Sequence, residues 1–248
     1  MDRTRLGEDD LVYFLHIPRT GGTSFFEVLA SHFHPEEVRK GDDRRTPEED
    51  LRAMPREELA RYRLLSGHHD VSVARRPGRE PHFVTMLREP VARTMSTYRI
   101  LQQLPHHPLH GLAMRSTFLE FLQHPDGGRA DADRQTRQLA GALDGNASGP
   151  DLLDRAKERL ESLAFFGLRE RFEDSVRLLE ATFGWEPVEP VPHLNATGDT
   201  NHRLALDARE LELTQERNRM DLELYRFARR LWRERSLVIS EPVLAFRD

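Results

Sequence analysis

The chain has 248 residues; 38% are hydrophobic, 32% are charged, and cysteine is absent. That length suits a sizeable core, and the apolar share is far above that of a disordered chain. No run of about 18 apolar residues occurs, which argues against a helical membrane span, and the lack of thiols excludes disulfides, cysteine–zinc sites and thiol nucleophiles. The formal net charge of −5 argues against a general nucleic-acid surface but leaves room for a local anion site. Only Lys40 and Lys157 among the 37 basic residues are lysine; the other 35 are arginine. Codon bias in a GC-rich genome gives such a ratio, and so does selection of forked anion ligands.

In chain order, Met1 to Arg5 leads into acidic residues without an apolar segment, so no signal peptide is expected. The nearly continuous apolar run from Leu11 to Ile17 predicts a buried strand of a parallel sheet. Pro18 breaks it, Arg19 to Gly22 form a loop, and Thr23 or Ser24 caps a helix carrying Phe25, Phe26, Val28, Leu29 and Phe33. Residues 34–50 read as a surface loop, followed by a short helix from Leu51 to Tyr62. Arg63 to Gly67 predict a second strand with His68, His69 and Asp70 at its carboxyl end, and Arg75 to Pro81 a basic turn. His82 to Leu87 predict a third strand, with a helix from Pro90 to about Gln103, where proline sits in a favoured first-turn position.

Beyond a loop at Pro105 to Leu109, helices are expected at 116–123, 131–142 and 151–161, with a break from Gly145 to Pro150. A fourth strand spans Leu163 to Leu168, an amphipathic helix 170–183, and a proline-rich loop 185–203. A charged helical stretch covers 207–235. Alternating strands and helices imply an α/β fold with a parallel sheet. There is no internal repeat and no evident domain boundary.

Two segments carry anion chemistry. In Pro18-Arg19-Thr20-Gly21-Gly22-Thr23-Ser24, the glycines let a phosphate approach the backbone, and the helix that follows points N–H groups and positive dipole at it. Arg19, Thr23 and Ser24 add side-chain donors. The loop lacks the Gly-Lys-Ser/Thr of an ATP or GTP site, and a plain strand-to-helix turn is the competing reading. In the second segment, Leu87 to Tyr98, Arg88 ends a parallel strand on the edge where α/β folds place ligands, and Ser96 lies two turns into the next helix. A surface Arg88 pairing with Glu89 is the alternative there. His68 also ends a strand on that edge, with His69 as runner-up; from position alone a structural or solvent role competes with a base role. His106, His107 and His110 show no convincing metal spacing.

Taken together, the His-Ile-Pro-Arg-Thr-Gly-Gly-Thr-Ser loop and the Leu-Arg-Glu-Pro-Val-Ala-Arg-Thr-Met-Ser-Thr-Tyr helix resemble sulfotransferases that use 3′-phosphoadenosine 5′-phosphosulfate (PAPS), in particular the carbohydrate 2-O-sulfotransferase-like branch. Ser66-Gly67-His68 is similar to the Gly-His that supplies that branch's base. Supporting likeness comes from Gln135 to Gly141, Phe166 to Ser175, His193-Leu194-Asn195 and Asp221 to Tyr225.

The resemblance implies a single P-loop-like three-layer domain over 1–248. A central parallel sheet would be flanked by helices, with helices 207–235 packed on it. It implies a PAPS-dependent O-sulfotransferase that needs no metal and releases adenosine 3′,5′-bisphosphate (PAP). Arg19, Thr20, Gly21, Gly22, Thr23 and Ser24 would hold the 5′-phosphosulfate, Arg88 and Ser96 the 3′-phosphate, and His68 and Arg19 would be catalytic. The family usually has lysine where Arg19 stands; arginine keeps its proton and acts by charge and hydrogen bonding alone.

The acceptor is expected to be a hydroxyl on a carbohydrate or glycoconjugate, with no nucleic-acid partner and no membrane span. Arg75, Arg76, Arg79 and the 106–110 histidines are candidates for meeting an acidic glycan, against a solvated surface as the alternative. Golgi members of the family carry a membrane anchor; none is visible here, which implies a soluble cytoplasmic enzyme of bacterial origin. A nucleotide or small-molecule kinase of similar fold, or a non-catalytic PAP(S)-binding protein, are the competing functions.

Overall fold

A computed structural model describes residues 6–40, 54–68, 79–143, 151–191 and 206–244. The apolar run after Leu11 becomes the middle strand of a five-stranded, wholly parallel sheet. Its strands are β1 (Val12–Leu15), β2 (Val38–Lys40), β3 (Leu64–Gly67), β4 (His82–Leu87) and β5 (Phe165–Leu168), in the spatial order β2-β3-β1-β4-β5. Every residue of β1, β3 and β5 is buried. Neighbouring strand residues point to opposite faces, so unbroken burial requires cover on both sides of the sheet. The expected α/β three-layer class is therefore the one observed.

The helices are α1 (Gly22–Ala30), α2 (Arg56–Leu59), α3 (Pro90–Leu101), α4 (His110–Arg115), α5 (Phe118–Gln123), α6 (Pro125–Ala130), α7 (Arg134–Leu139), α8 (Leu152–Ser162), α9 (Phe172–Phe183), α10 (Ala208–Arg217) and α11 (Arg219–Leu244). From β1 the chain runs toward the β2 edge, and from β4 toward β5. Connections that diverge between neighbouring strands open a crevice at their carboxyl ends, here between β1 and β4. Leu224, Tyr225, Ala228 and Trp232 of α11 share the core with the strands.

Several elements depart from the sequence expectation. β2 falls inside the expected 34–50 loop: it is a three-residue edge strand that pairs with β3 through its backbone, and its side chains are half-buried or exposed, so no apolar pattern announces it. The helix expected over 131–142 is confined to α7 by Asp133 (φ 46°) before it and Gly141 (φ 70°) after it. α6 falls between the helices expected at 116–123 and 131–142, in a stretch given no element from the sequence, and it contains Gly127 and Gly128, residues of low helix propensity. A Cβ on either would lie 2.4 Å from the carbonyl oxygen of Phe121 or Leu122, so the glycines permit close packing on α5. The C-terminal stretch divides at Asn218, whose Nδ2 donates to Thr214 O (2.9 Å) and Thr94 Oγ1 (3.2 Å).

A buried polar centre ties α3, α7 and α11 together. Arg93 is fully buried; its Nη1 donates to Asp131 Oδ1 (2.7 Å) and its Nη2 to Asp131 O (2.8 Å). Burial works against the Arg93 charge, but Asp131 and Asp221 outweigh it and hold its pKa above the ordinary value. Asp133 accepts from Asp221 N (2.9 Å), and burial, with the nearby Asp221 charge, raises its pKa to about 6.

Candidate active site

The loop after β1 closes on itself. Thr20 is buried and donates its hydroxyl to Ile17 O (2.8 Å), so it shapes the turn from within. Arg19 takes a left-handed backbone (φ 68°), as does Gly21 (φ 85°). Gly21, not Thr23 or Ser24, is the N-cap of α1. The cap corrects the sequence expectation: the left-handed turn needed here suits glycine, and α1 begins at Gly22, ahead of where a cap at either hydroxyl would start it. Ser24 is buried and Thr23 half-buried in the first turn.

Both glycines are required by their neighbours. A Cβ on Gly21 would lie 2.5 Å from Cδ of Arg169, and one on Gly22 2.0 Å from Nε2 of His16. The bare backbone at a helix N-terminus, with guanidinium groups beside it, is chemically fitted to a phosphate or sulfate group. The expectation that residues 18–24 hold a 5′-phosphosulfate belongs to the proposed function.

The second segment meets the first. Arg19 Nε donates to Ser96 Oγ (3.0 Å), and Arg88 Nη1 donates to Arg19 O (3.2 Å). Ser96 is buried on α3, whose N-cap Glu89 accepts from Ala92 N (2.7 Å). The Glu89 carboxylate is thereby used to start α3, so its first role is capping rather than pairing with Arg88. Glu170, just past β5, accepts from Glu89 N (3.0 Å) and from the Tyr225 hydroxyl. Burial, reinforced by Glu170, pushes the Tyr225 hydroxyl pKa up, so this hydroxyl stays a donor.

His68 stands one residue beyond β3, beside His16 one residue beyond β1. Their rings lie 4.3 Å apart between centroids, and His68 Nδ1 is 2.9 Å from His16 O. A carbonyl can only accept, so Nδ1 carries the proton and the ring lone pair lies on Nε2, the tautomer a general base needs. His69 lies outside the described residues, as do Arg75, Arg76 and His193 to Asn195.

Arg79 is not an acceptor-site residue. It donates to Asp9 O (2.6 Å), Ala60 O (3.1 Å) and Tyr62 O (2.6 Å), all on the amino-terminal side of the strands. His107 Nδ1 accepts from Leu109 N (3.1 Å), and His110 Nδ1 lies 2.9 Å from Leu101 O, so both serve local structure. Among the described residues, no three His, Asp or Glu side chains form a metal-binding group.

Sequence reasoning did not single out Arg169, whose side chain crosses Gly21, or His16, whose ring covers Gly22. Nor did it single out Gln135 and Gln138, which bond to the backbone of Arg88, His16 and His68. Arg169 and His16 stand at strand carboxyl ends, a position that marks the ligand edge in such sheets.

The model of the sulfotransferase family matches residues 2–228, and the chain belongs to that family. Heparan-sulfate 6-O-sulfotransferase 2 of Gallus gallus is 28% identical, with 92% of this chain aligned to 68% of the relative. The Danio rerio enzyme of the same name is 28% identical over 92% of this chain and 59% of its own length. Heparan-sulfate 6-O-sulfotransferase 1 of Homo sapiens is 27% identical over 92% and 66%. The chain thus spans 59–68% of the length of these relatives. Among solved structures, mouse sulfotransferase SULT7A1 complexed with PAP aligns with TM-score 0.41 and 14% identity, over 75% of this chain and 61% of that one. The expected enzyme class, a PAPS-dependent O-sulfotransferase, agrees with this membership.

Proposed function

We propose that the chain moves the sulfuryl group of PAPS to a carbohydrate hydroxyl by in-line displacement. The observation that carries this reading is the convergence of loop 18–24, Arg88 with Ser96, and His68 at the carboxyl ends of β1, β4 and β3. The donor supplies the sulfuryl group and a phosphate leaving group. His68 Nε2 takes the proton from the acceptor hydroxyl as the new S–O bond forms and the S–O bond to the 5′-phosphate breaks. Arg19 offsets the charge growing on the departing phosphate, by hydrogen bonding and fixed charge only, because a guanidinium does not give up its proton. The Gly21–Ser24 turn directs N–H groups at the same phosphate. Arg88 and Ser96 hold the 3′-phosphate, the group that separates this donor from ATP. The work is positioning and charge stabilisation, as in phosphoryl transfer.

The saccharide acceptor is supported by relatives named as heparan-sulfate 6-O-sulfotransferases. A cytoplasmic enzyme of bacterial origin belongs to the same proposal. The cysteine-free chain needs no oxidising compartment, and the arginine bias fits a GC-rich genome; fractionation of the native host tests it. The activity is tested by incubating the purified chain with sulfur-labelled PAPS and heparan sulfate, its desulfated form, and other glycans. Label appearing in a glycan supports the reading. PAP binding without transfer to any of them would leave a binding protein instead.

A further inference from the structure

α7 carries two buried glutamines three positions apart, Gln135 and Gln138, so their side chains leave the same face of the helix. Gln135 grips Arg88 at two points: its Oε1 accepts from Arg88 N (3.0 Å) and its Nε2 donates to Arg88 O (2.9 Å). Gln138 Nε2 donates to His16 O (3.1 Å) and to His68 O (3.2 Å). The same His16 carbonyl accepts from His68 Nδ1 (2.9 Å). One short helix therefore holds the backbone just past the ends of β3, β1 and β4, three strands adjacent in the sheet.

The helix is itself anchored from the far end of the chain. The buried Asp221 carboxylate accepts from Gln135 N (3.2 Å), Thr136 N (2.7 Å) and Thr136 Oγ1 (2.7 Å). Arg93 Nη2 lies 3.9 Å from the same carboxylate. Each of these groups is inside the protein, where losing a partner costs the full desolvation of the group left behind.

We infer that α7 positions the reacting groups, Gln138 setting the base His68 and Gln135 setting the 3′-phosphate ligand Arg88; this rests on the sulfotransferase reading of the site. Neither glutamine touches a reacting atom, so both are positioning residues. Their chemistry is specific. Position 138 must donate to two carbonyls, and position 135 must donate and accept at once, which a carboxamide does and a carboxylate does not. Gln138 acts on turnover, because it fixes where Nε2 of His68 meets the acceptor. Gln135 acts on nucleotide affinity, because it fixes where the Arg88 fork begins.

The test uses full-length Gln138→Met and Gln135→Met, which keep side-chain length and lose the hydrogen bonds. Calorimetry gives the Kd for PAP, labelled donor with heparan sulfate gives kcat, and nitrogen NMR of the imidazoles reports the His68 Nδ1–H. Gln138→Met lowers kcat about tenfold to a hundredfold, as misplacement of a reacting group by about 1 Å does, with the PAP Kd changed less than about twofold. Gln135→Met raises the PAP Kd about tenfold and lowers kcat at saturating donor less than Gln138→Met does. If Gln138→Met melts below the assay temperature, Gln138→Asn replaces it, with the same expected split. Equal losses of kcat and affinity in both variants, or no loss in either, overturn the inference. If the wild-type chain transfers no sulfate, the sulfotransferase reading fails on its own and the NMR arm decides. Loss of the His68 Nδ1–H signal in Gln138→Met then upholds the positioning role, and an unchanged signal overturns it.

Discussion

Arg19 and Ser96 stand 77 positions apart in sequence, and Arg19 Nε donates to Ser96 Oγ at 3.0 Å. The bond joins the loop after β1 to the helix after β4. In the proposed function it links the ligand of the 5′-phosphosulfate to a ligand of the 3′-phosphate. A lysine at position 19 lacks the secondary N–H and could not reproduce this geometry. The arginine is thus tied into the site in a way that a simple exchange of one positive charge for another does not capture.

The coupling is measurable. Ser96→Ala is expected to weaken PAP binding about tenfold, in keeping with a hydrogen bond to a charged group. Arg19→Ala is expected to lower kcat about a hundredfold to a thousandfold, the usual loss when one donor to developing charge is removed. The double variant should cost less than the two single losses combined, by about 0.5–3 kcal/mol. Strict additivity in calorimetry and kinetics would show that the two side chains act independently.

His68→Ala should reduce turnover by at least about a hundredfold, the contribution of a general base, while leaving the PAP Kd within about twofold. A parallel loss of PAP affinity would make His68 structural.

Gly22 is a sharper probe of the same region. A Cβ there meets the His16 ring, which contacts the His68 ring. Gly22→Ala should therefore displace His16 and lower kcat about tenfold or more through misplacement of the base. Unchanged kcat in a folded Gly22→Ala protein would mean that His16 moves aside without consequence for His68.

Asp133 makes stability depend on pH. Its folded pKa, raised to about 6, lies above the ordinary carboxylate value, so the folded state holds the extra proton. Its contribution is fully present below about pH 4 and is lost as pH rises through about 6. Asp133→Asn keeps an oxygen for the Asp221 N–H, tolerates the left-handed backbone and removes the charge. The variant should gain about 1 kcal/mol at pH 7.5 after solvent screening, or about 2–4 °C in melting temperature, and almost nothing at pH 4. A gain of equal size at both pH values would assign the effect to something other than the charge.

The central strands were legible because parallel strands buried on both faces leave short, largely apolar runs, as Leu11 to Ile17 and His82 to Leu87 do. β2 left no such run, since its contribution is backbone hydrogen bonding at a sheet edge. Gly127 and Gly128 pointed away from the helix that contains them, because their purpose is close approach to α5 and not flexibility. In the site, Arg19, Arg88, Ser96 and His68 were legible from strand ends and from two motifs seen together. Gln135 and Gln138 were read only as part of a recurrent stretch, since a side chain that bonds to distant backbone leaves no local pattern. Arg79 misled for the converse reason: a basic turn looks like an anion surface until its guanidinium is found on three carbonyl oxygens.

The most direct test of the central claim is the thermal shift of the wild-type chain with adenosine 3′,5′-bisphosphate, set against ATP and ADP at equal concentration. At about a hundred times Kd the bisphosphate should stabilise the fold by about 2.7 kcal/mol, or about 5–10 °C, with far smaller shifts from ATP and ADP. Equal shifts with all three nucleotides, or none with the bisphosphate, would contradict a site built for a 3′-phosphorylated donor.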